Sequence, residues 1–221
     1  MKKASLNFCI ALSVCLAVSS ASGTGLVNGN FESPVLPGIG LTFSTPPAGF
    51  NWTVASGDIE VFTASYWQPA SGNQSVDMNG STTGSIYQDF MFSSSQTWAI
   101  SFALSANPDQ GTRGDGNGTG IKNMRVDFGT PGSMTSLGIY GVDSTPRSIN
   151  NMQYVTFTTP QILVSDSVLY RLQFTSLVAG NGGAVLDNVQ LQVVPEPGTL
   201  ALLCSGLTGL FVLRRHKCGK A

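Results

Sequence analysis

The central part of this 221-residue chain contains no cysteine and no histidine. The four cysteines and the single histidine, His216, all lie within residues 1–23 or 195–221. Residues 24–194 therefore cannot hold a Ser-His-Asp triad, a cysteine nucleophile, a disulfide framework or a zinc site built from cysteine and histidine.

Positive charge is also scarce in residues 24–194, which carry five basic residues against eleven acidic ones, a formal net charge of −6. Proteins that bind nucleic acid present a basic face to the phosphates. This composition therefore excludes nucleic acid as a partner.

The N-terminus has the pattern of a secretory signal peptide. Lys2 and Lys3 precede an 11-residue apolar run at 8–18. That run is too short to span a bilayer, and the small residues after it favour cleavage after Ala21 or Gly23. Residues 1–23 are therefore predicted to be a signal peptide that a signal peptidase removes during export.

The C-terminus has a second targeting pattern in residues 195–221. Pro195, Glu196 and Pro197 precede the apolar segment 199–213, and Arg214 and Arg215 follow it. The segment is predicted to be a short single transmembrane helix, rising about 22 Å against a hydrocarbon core of about 30 Å, with its basic end in the cytoplasm. A plain tail anchor, with the Pro-Glu-Pro triplet as a linker, is the alternative.

In order and spacing, this triplet, helix and basic cluster resemble the PEP-CTERM sorting signal of Gram-negative bacteria. The resemblance implies recognition by an exosortase, a membrane-anchored intermediate, and delivery to the cell surface or extracellular matrix. It also implies an association with exopolysaccharide. The sorting residues would be Pro195, Glu196, Pro197, Arg214 and Arg215.

Residues 24–194 show the alternation of apolar and polar residues that is typical of antiparallel strands. Residues 34–49 and 107–120 read as irregular segments. A single all-β domain, a jelly-roll β-sandwich, is expected. Its strands are predicted at 26–31, 52–55, 58–63, 74–79, 85–92, 97–105, 122–129, 134–140, 153–159, 167–177 and 185–194.

Leu-Val-Asn-Gly-Asn-Phe-Glu at 26–32, Gly-Asn-Gln-Ser-Val-Asp-Met-Asn-Gly at 72–80 and Leu-Asp-Asn-Val at 186–189 follow one another in the order seen in a second family. They resemble the choice-of-anchor C group of bacterial surface proteins, which is similar to a plant cell-wall domain of unknown function. The resemblance implies a galactose-binding-like jelly roll.

Aromatic and amide side chains cluster in one stretch and suggest a carbohydrate site, because sugars stack on flat rings and bond to planar polar groups. The residues are Tyr66, Trp67, Asn73, Gln74, Asp77 and Asn79. In the alternative, Trp67 packs in the core and Asp77 and Asn79 hold a turn. Trp52 and Trp98 are expected in the core.

A structural calcium ion is the one cofactor that the sequence suggests, because only oxygen ligands are present. Asp109, Asp115 and Asn117 are its predicted ligands, and a solvated turn is the alternative. The loop is not an EF-hand, since Val126 occupies the position of the essential glutamate. Asp187 and Asn188 interrupt a strand and predict a β-bulge.

The sequence thus predicts an exported surface β-sandwich that binds polysaccharide and is not an enzyme. A purely structural surface protein without a small ligand is one alternative. A glycoside hydrolase is another, because Asp58 and Glu60 would share one face of a strand at roughly 6–7 Å.

Overall fold

The computed structural model describes residues 25–108 and 120–195. Within these residues every regular element is a β-strand. The strands are β1 (Gly40–Phe43), β2 (Thr53–Ser56), β3 (Ile59–Thr63), β4 (Gln74–Asp77), β5 (Ser85–Met91), β6 (Gln96–Ala106), β7 (Ile121–Thr130), β8 (Ser133–Asp143), β9 (Val155–Thr158), β10 (Ile162–Val164), β11 (Leu169–Ser176) and β12 (Ala184–Val193).

The strands form two antiparallel sheets. The larger sheet has seven strands in the order β1-β3-β4-β12-β6-β10, with β9 also paired to β6. The smaller sheet has five strands in the order β2-β5-β11-β7-β8. Most connections carry the chain from one sheet to the other, as in a jelly roll. The predicted all-β sandwich is confirmed.

The main core lies between the two sheets and follows the alternation of the sequence. Ile100, Phe102 and Leu104 of β6 are fully buried, and the Phe102 ring contacts Phe174 of β11 edge-on at 5.5 Å between centroids. Trp52 and Trp98, expected in the core, are 2% and 4% exposed. Burial of these large side chains is the main source of stability in such a domain.

A second apolar cluster lies on the opposite, outer face of the larger sheet. Phe62 of β3 and Val185 of β12 point to that face and are buried together with Trp67 and Met152, and Tyr66 and Tyr154 pack against them. The loop 64–73 and the segment 144–154 supply the covering residues. The centre of the outer face of the larger sheet is therefore buried as well, although a two-sheet sandwich needs only its inner faces buried.

The structure differs from the predicted strands at three places. Residues 26–31 form a turn rather than a strand, because Asn28 and Phe31 adopt positive φ angles of 54° and 56° and the Phe31 amide donates to the Asn28 carbonyl at 3.1 Å. The short strands β1 and β10 are not among the strands predicted from the sequence. They lie at opposite edges of the larger sheet, where only one neighbour pairs with them and little alternation develops.

The predicted β-bulge in the last strand is confirmed. The pairing between β12 and β6 shifts register between Asp187 and Gln190, and Asn188 has a φ of 49°. A bulge re-aims the side chain beside it. Here the bulge begins at Asp187, and the Asp187 carboxylate points to the loop 64–73.

Candidate carbohydrate-binding site

The loop 64–73, which joins β3 to β4, is held at both of its ends. The Ala64 amide donates to the Asn73 carbonyl at 2.7 Å. The amides of Tyr66 and Trp67 both donate to the Thr63 carbonyl, at 2.9 and 3.3 Å. These bonds form a tight turn that fixes the direction of the two aromatic side chains.

The middle of the loop is held by Asp187 from β12. Its Oδ2 accepts hydrogen bonds from the Ala70 and Ser71 amides at 2.8 and 2.9 Å, and its Oδ1 accepts one from the Asn188 amide. Burial raises the pKa of Asp187 to about 7, against the opposing effect of these three bonds. Asp187 therefore has a structural role, because its carboxylate ties β12 to the loop 64–73.

The end of the loop is held by Glu32. Its Oε1 accepts hydrogen bonds from the Asn73 and Gln74 amides, both at 2.8 Å. Gly72 makes this close approach possible, because a Cβ there would lie 2.4 Å from the same oxygen, and its φ is +64°. Glycine adopts such a backbone at no steric cost. The loop is therefore fixed before any ligand arrives.

Trp67 is buried beneath this loop and is only 2% exposed. Its indole Nε1 donates to Ser75 Oγ at 2.9 Å, and its ring packs on Phe62 at 4.2 Å between centroids. A ring in this position cannot stack on a sugar. The stacking role predicted for Trp67 is thus corrected to a core role, which was the alternative.

Tyr66, the neighbouring aromatic residue, lies at the surface. Its ring stacks on Phe62 with centroids 4.5 Å apart and planes inclined by 19°. It is half-buried and lines an open depression of about 430 Å³. The depression is lined by Ala64, Ser65, Tyr66, Trp67, Gln68, Pro69, Ile149 and Asn150. A rigid ring therefore meets the two exposed side-chain amides of Gln68 and Asn150 in one open site.

A second depression, of about 260 Å³, adjoins the first. It is lined by Glu32, Val35, Leu36, Gly38, Thr63, Ser65, Asn73 and Gln74. Ser65 belongs to both depressions, so they lie side by side along the loop. The predicted residue Asn73 is exposed here.

Three other predicted site residues are interior, with Gln74 2% exposed and Asp77 and Asn79 each 1% exposed. The Gln74 amide bonds to the Phe31, Pro34 and Leu36 backbones. Asp77 accepts hydrogen bonds from the Asn79 and Gly183 amides and from Asn107 Nδ2. Asp77 and Asn79 line neither depression, and their predicted sugar contacts are corrected to the turn-holding role.

The two carboxylates predicted as a catalytic pair, Asp58 and Glu60, are both half-buried, and a third carboxyl, Asp77, lies opposite Glu60 on β4. Burial raises the pKa of Asp77 to about 7, but this carboxyl is inaccessible to a substrate. Asp58 precedes β3 rather than lying in it, and its oxygens accept four hydrogen bonds from Ser81 and Thr82. Burial alone would raise the pKa of Asp58, but these bonds together lower it. Asp58 is therefore suited to hold a loop rather than to donate a proton.

Within residues 25–108 and 120–195 no three His, Cys, Asp or Glu side chains come together to hold a metal ion. The predicted calcium ligands Asp109, Asp115 and Asn117 lie outside the described residues. The same part of the chain contains no helix long and apolar enough to cross a bilayer. The predicted signal peptide and the segment 199–213 also lie outside it.

Residues 24–138 match the family described as "Protein of unknown function (DUF642)", and residues 193–215 match the PEP-CTERM protein-sorting motif. The chain belongs to the DUF642 family. The sorting motif confirms the predicted C-terminal signal, and the protein is exported and sorted to the cell surface. No curated protein matches the chain.

Several solved structures are similar in fold. One is TmCBM61 in complex with β-1,4-galactotriose, at 15% identity over 76% of this chain and 97% of that chain, with a TM-score of 0.47. Another is the xylan-binding domain from CBM 22, at 15% identity over 71% and 96% of the two chains, with a TM-score of 0.44. A third is the carbohydrate-binding module CBM6cm-2 from Cellvibrio mixtus lichenase 5A with cellotriose, at 10% identity over 72% and 100%, with a TM-score of 0.41.

Proposed function

We propose that this surface-sorted sandwich binds polysaccharide in the open depression at Tyr66. The observation that carries the proposal is the stacking of the Tyr66 ring, which lines the open depression, on the buried Phe62 ring. The apolar face of a pyranose packs well on such a ring. A ring that is already fixed loses little side-chain entropy when the sugar binds.

The polar groups around Tyr66 suit the hydroxyls of a sugar. The side-chain amides of Gln68 and Asn150 each offer a donor and an acceptor, and the Ser65 hydroxyl can do both. The backbone N–H of Gln68 donates to the backbone carbonyl of Ile149 at 3.1 Å, which holds the two sides of the depression together. An open site of this kind suits a chain that lies across it, as polysaccharide does.

We further propose that the domain binds without catalysis. Glycoside hydrolysis in most families needs two carboxyl groups on opposite sides of one bond. The two depressions described here are lined by a single carboxylate, Glu32, and its Oε1 is already bonded to two amides. We also infer that an exosortase is the partner that recognises residues 195–197 during sorting.

Tyr66→Ala tests the binding site. The full chain in mild detergent should bind one or more soluble polysaccharides, such as β-1,4-galactan, xylan or β-glucan, in affinity electrophoresis. Loss of the ring should weaken this binding about tenfold or more, which corresponds to about 1.4 kcal/mol. Because Tyr66 is half-buried and its ring packs on Phe62, the thermal unfolding midpoint should fall by a few degrees, and binding is measured well below it.

Tyr87→Ala is the matched control, since Tyr87 is a half-buried tyrosine on the other sheet. Its removal should leave binding unchanged. If Tyr66→Ala binds normally while folded, the site is elsewhere. If the unaltered chain binds none of the polysaccharides, the proposal fails and a structural surface role without a small ligand replaces it.

A further inference from the structure

We infer that the site selects uncharged glycan chains and that Glu32 excludes chains carrying carboxylates, such as polyuronates. This inference rests on the proposed function, because it concerns the ligand of the same site. It depends on the relation between the two depressions and on the charges that line them.

The two depressions form one path for a linear chain. Ser65 lines both the depression that contains Tyr66 and the depression that contains Glu32, so the two adjoin there. A sugar stacked on Tyr66 therefore has a neighbour that extends past Ser65 toward Glu32, Thr63 and Asn73. A polysaccharide bound by an internal segment places at least one of its units beside the carboxylate.

Glu32 is the one charged side chain that lines either depression in the described part of the chain. The carboxylate is half-buried, and its Oε1 is fixed by the Asn73 and Gln74 amides. It therefore cannot swing away from an incoming anion without releasing the loop.

Neither Asp187 nor Arg147, the charged residues behind and beside the loop, lines either depression. The Asp187 carboxyl accepts hydrogen bonds from the Ala70 and Ser71 amides, and its pKa is raised to about 7, chiefly by burial and to a lesser extent by repulsion from Glu32. Arg147, three residues before Asn150, directs its guanidinium to the carbonyls of Asp143 and Gln153. The charge that lines the two depressions is thus the negative charge of Glu32.

The size of the discrimination follows from Coulomb's law. Two like charges about 6 Å apart, in surroundings between protein surface and bulk water, disfavour binding roughly 3- to 100-fold. Screening at about 1 M salt, where the Debye length is about 3 Å, should remove most of this difference. A neutral chain suffers no such penalty, and its hydroxyls can donate to the carboxylate.

The experiment compares each neutral polymer with its own oxidised form. The probes are soluble β-1,4-galactan and β-glucan, each before and after oxidation of the C6 hydroxyls to carboxylates. The full chain in mild detergent should bind the neutral form at least about threefold more tightly at low salt. High salt should bring the ratio of the two affinities toward one.

Glu32→Gln should also bring this ratio toward one at low salt, because the amide oxygen still accepts from the loop amides while the charge is gone. Asp166→Asn is the matched control, since it removes one exposed carboxylate outside both depressions. It should leave the ratio unchanged. A thermal melt of each variant separates lost binding from lost folding.

The outcomes distinguish the two proposals. If the unaltered chain binds neutral and oxidised forms equally, or prefers the oxidised form, the inference about Glu32 is overturned while polysaccharide binding stands. A Glu32→Gln variant that is folded and keeps the full preference would overturn it too. If neither form of any polymer binds, the proposed function itself has failed.

Discussion

The sandwich should lose stability as the pH rises from 5 to 8, because two buried carboxyl groups must then ionise. Burial raises the pKa of Asp77 and of Asp187 from 3.8 to about 7 in the folded chain. The folded state therefore holds protons that the unfolded state has released between about pH 4 and 7. This contribution to stability is complete below the unfolded pKa of 3.8 and is lost as the pH rises through about 7.

The magnitude can be worked out for each group. Between pH 5 and pH 8, a carboxyl with a folded pKa of about 7 and an unfolded pKa of 3.8 changes the free energy of unfolding by roughly 2–3 kcal/mol. Two such groups would remove a large part of the roughly 5–15 kcal/mol that is typical of a domain. Below this window other carboxylates also titrate, among them Asp58, whose pKa is lowered.

Urea unfolding at pH 5, 6, 7 and 8 and constant ionic strength measures this slope. Tryptophan fluorescence reports on the sandwich alone, since the three tryptophans of the chain, Trp52, Trp67 and Trp98, are all buried in it. Asp77→Asn removes one titrating group and should reduce the slope by about half, although it also weakens the bond from Asn107. A stability that is constant or rises over this range would refute the reasoning.

Two further predictions concern the C-terminal sorting segment and the proposed calcium ligands in residues 109–117. Replacing Pro195, Glu196 and Pro197 by alanine should leave export intact and trap the protein in the inner membrane, as fractionation would show. Normal delivery to the surface would make the triplet only a linker. If Asp109, Asp115 and Asn117 bind calcium, adding calcium should raise the thermal midpoint and a chelator should lower it. An unchanged midpoint would remove these residues as ligands.

Much of the sandwich could be predicted because its inner faces follow a period of two. Strands such as β6 and β7 are long and present alternate residues to one core, so their positions follow from the sequence. The turn at 26–31 could not be found this way. Its apolar residues resemble a strand, and only the positive φ angles of Asn28 and Phe31 end the extended backbone.

The candidate site was harder to predict, because the alternation does not show which outer faces are covered. Asp77 and Val185 pair across β4 and β12 on the outer face of the larger sheet, where polar residues usually meet water. Trp67 and Met152 cover Val185 on that face, whereas Asp77 is buried among its hydrogen-bond donors Asn79, Asn107 and Gly183. Asn150 joins the site from far along the chain, and no local pattern indicates that contact.

The position of β12 has a mechanical consequence for a protein sorted through its C-terminus. This strand lies inside the larger sheet, between β4 and β6, and leads directly into the sorting segment. Tension that arrives from that segment therefore acts on an interior strand rather than on an edge. Withdrawing β12 would split the larger sheet into β1-β3-β4 and β6-β9-β10 and release the Asp187 carboxylate from the loop that carries Tyr66. Any force applied at residue 195 would therefore reach the loop 64–73 through β12, and this loop should keep its shape until the larger sheet itself comes apart.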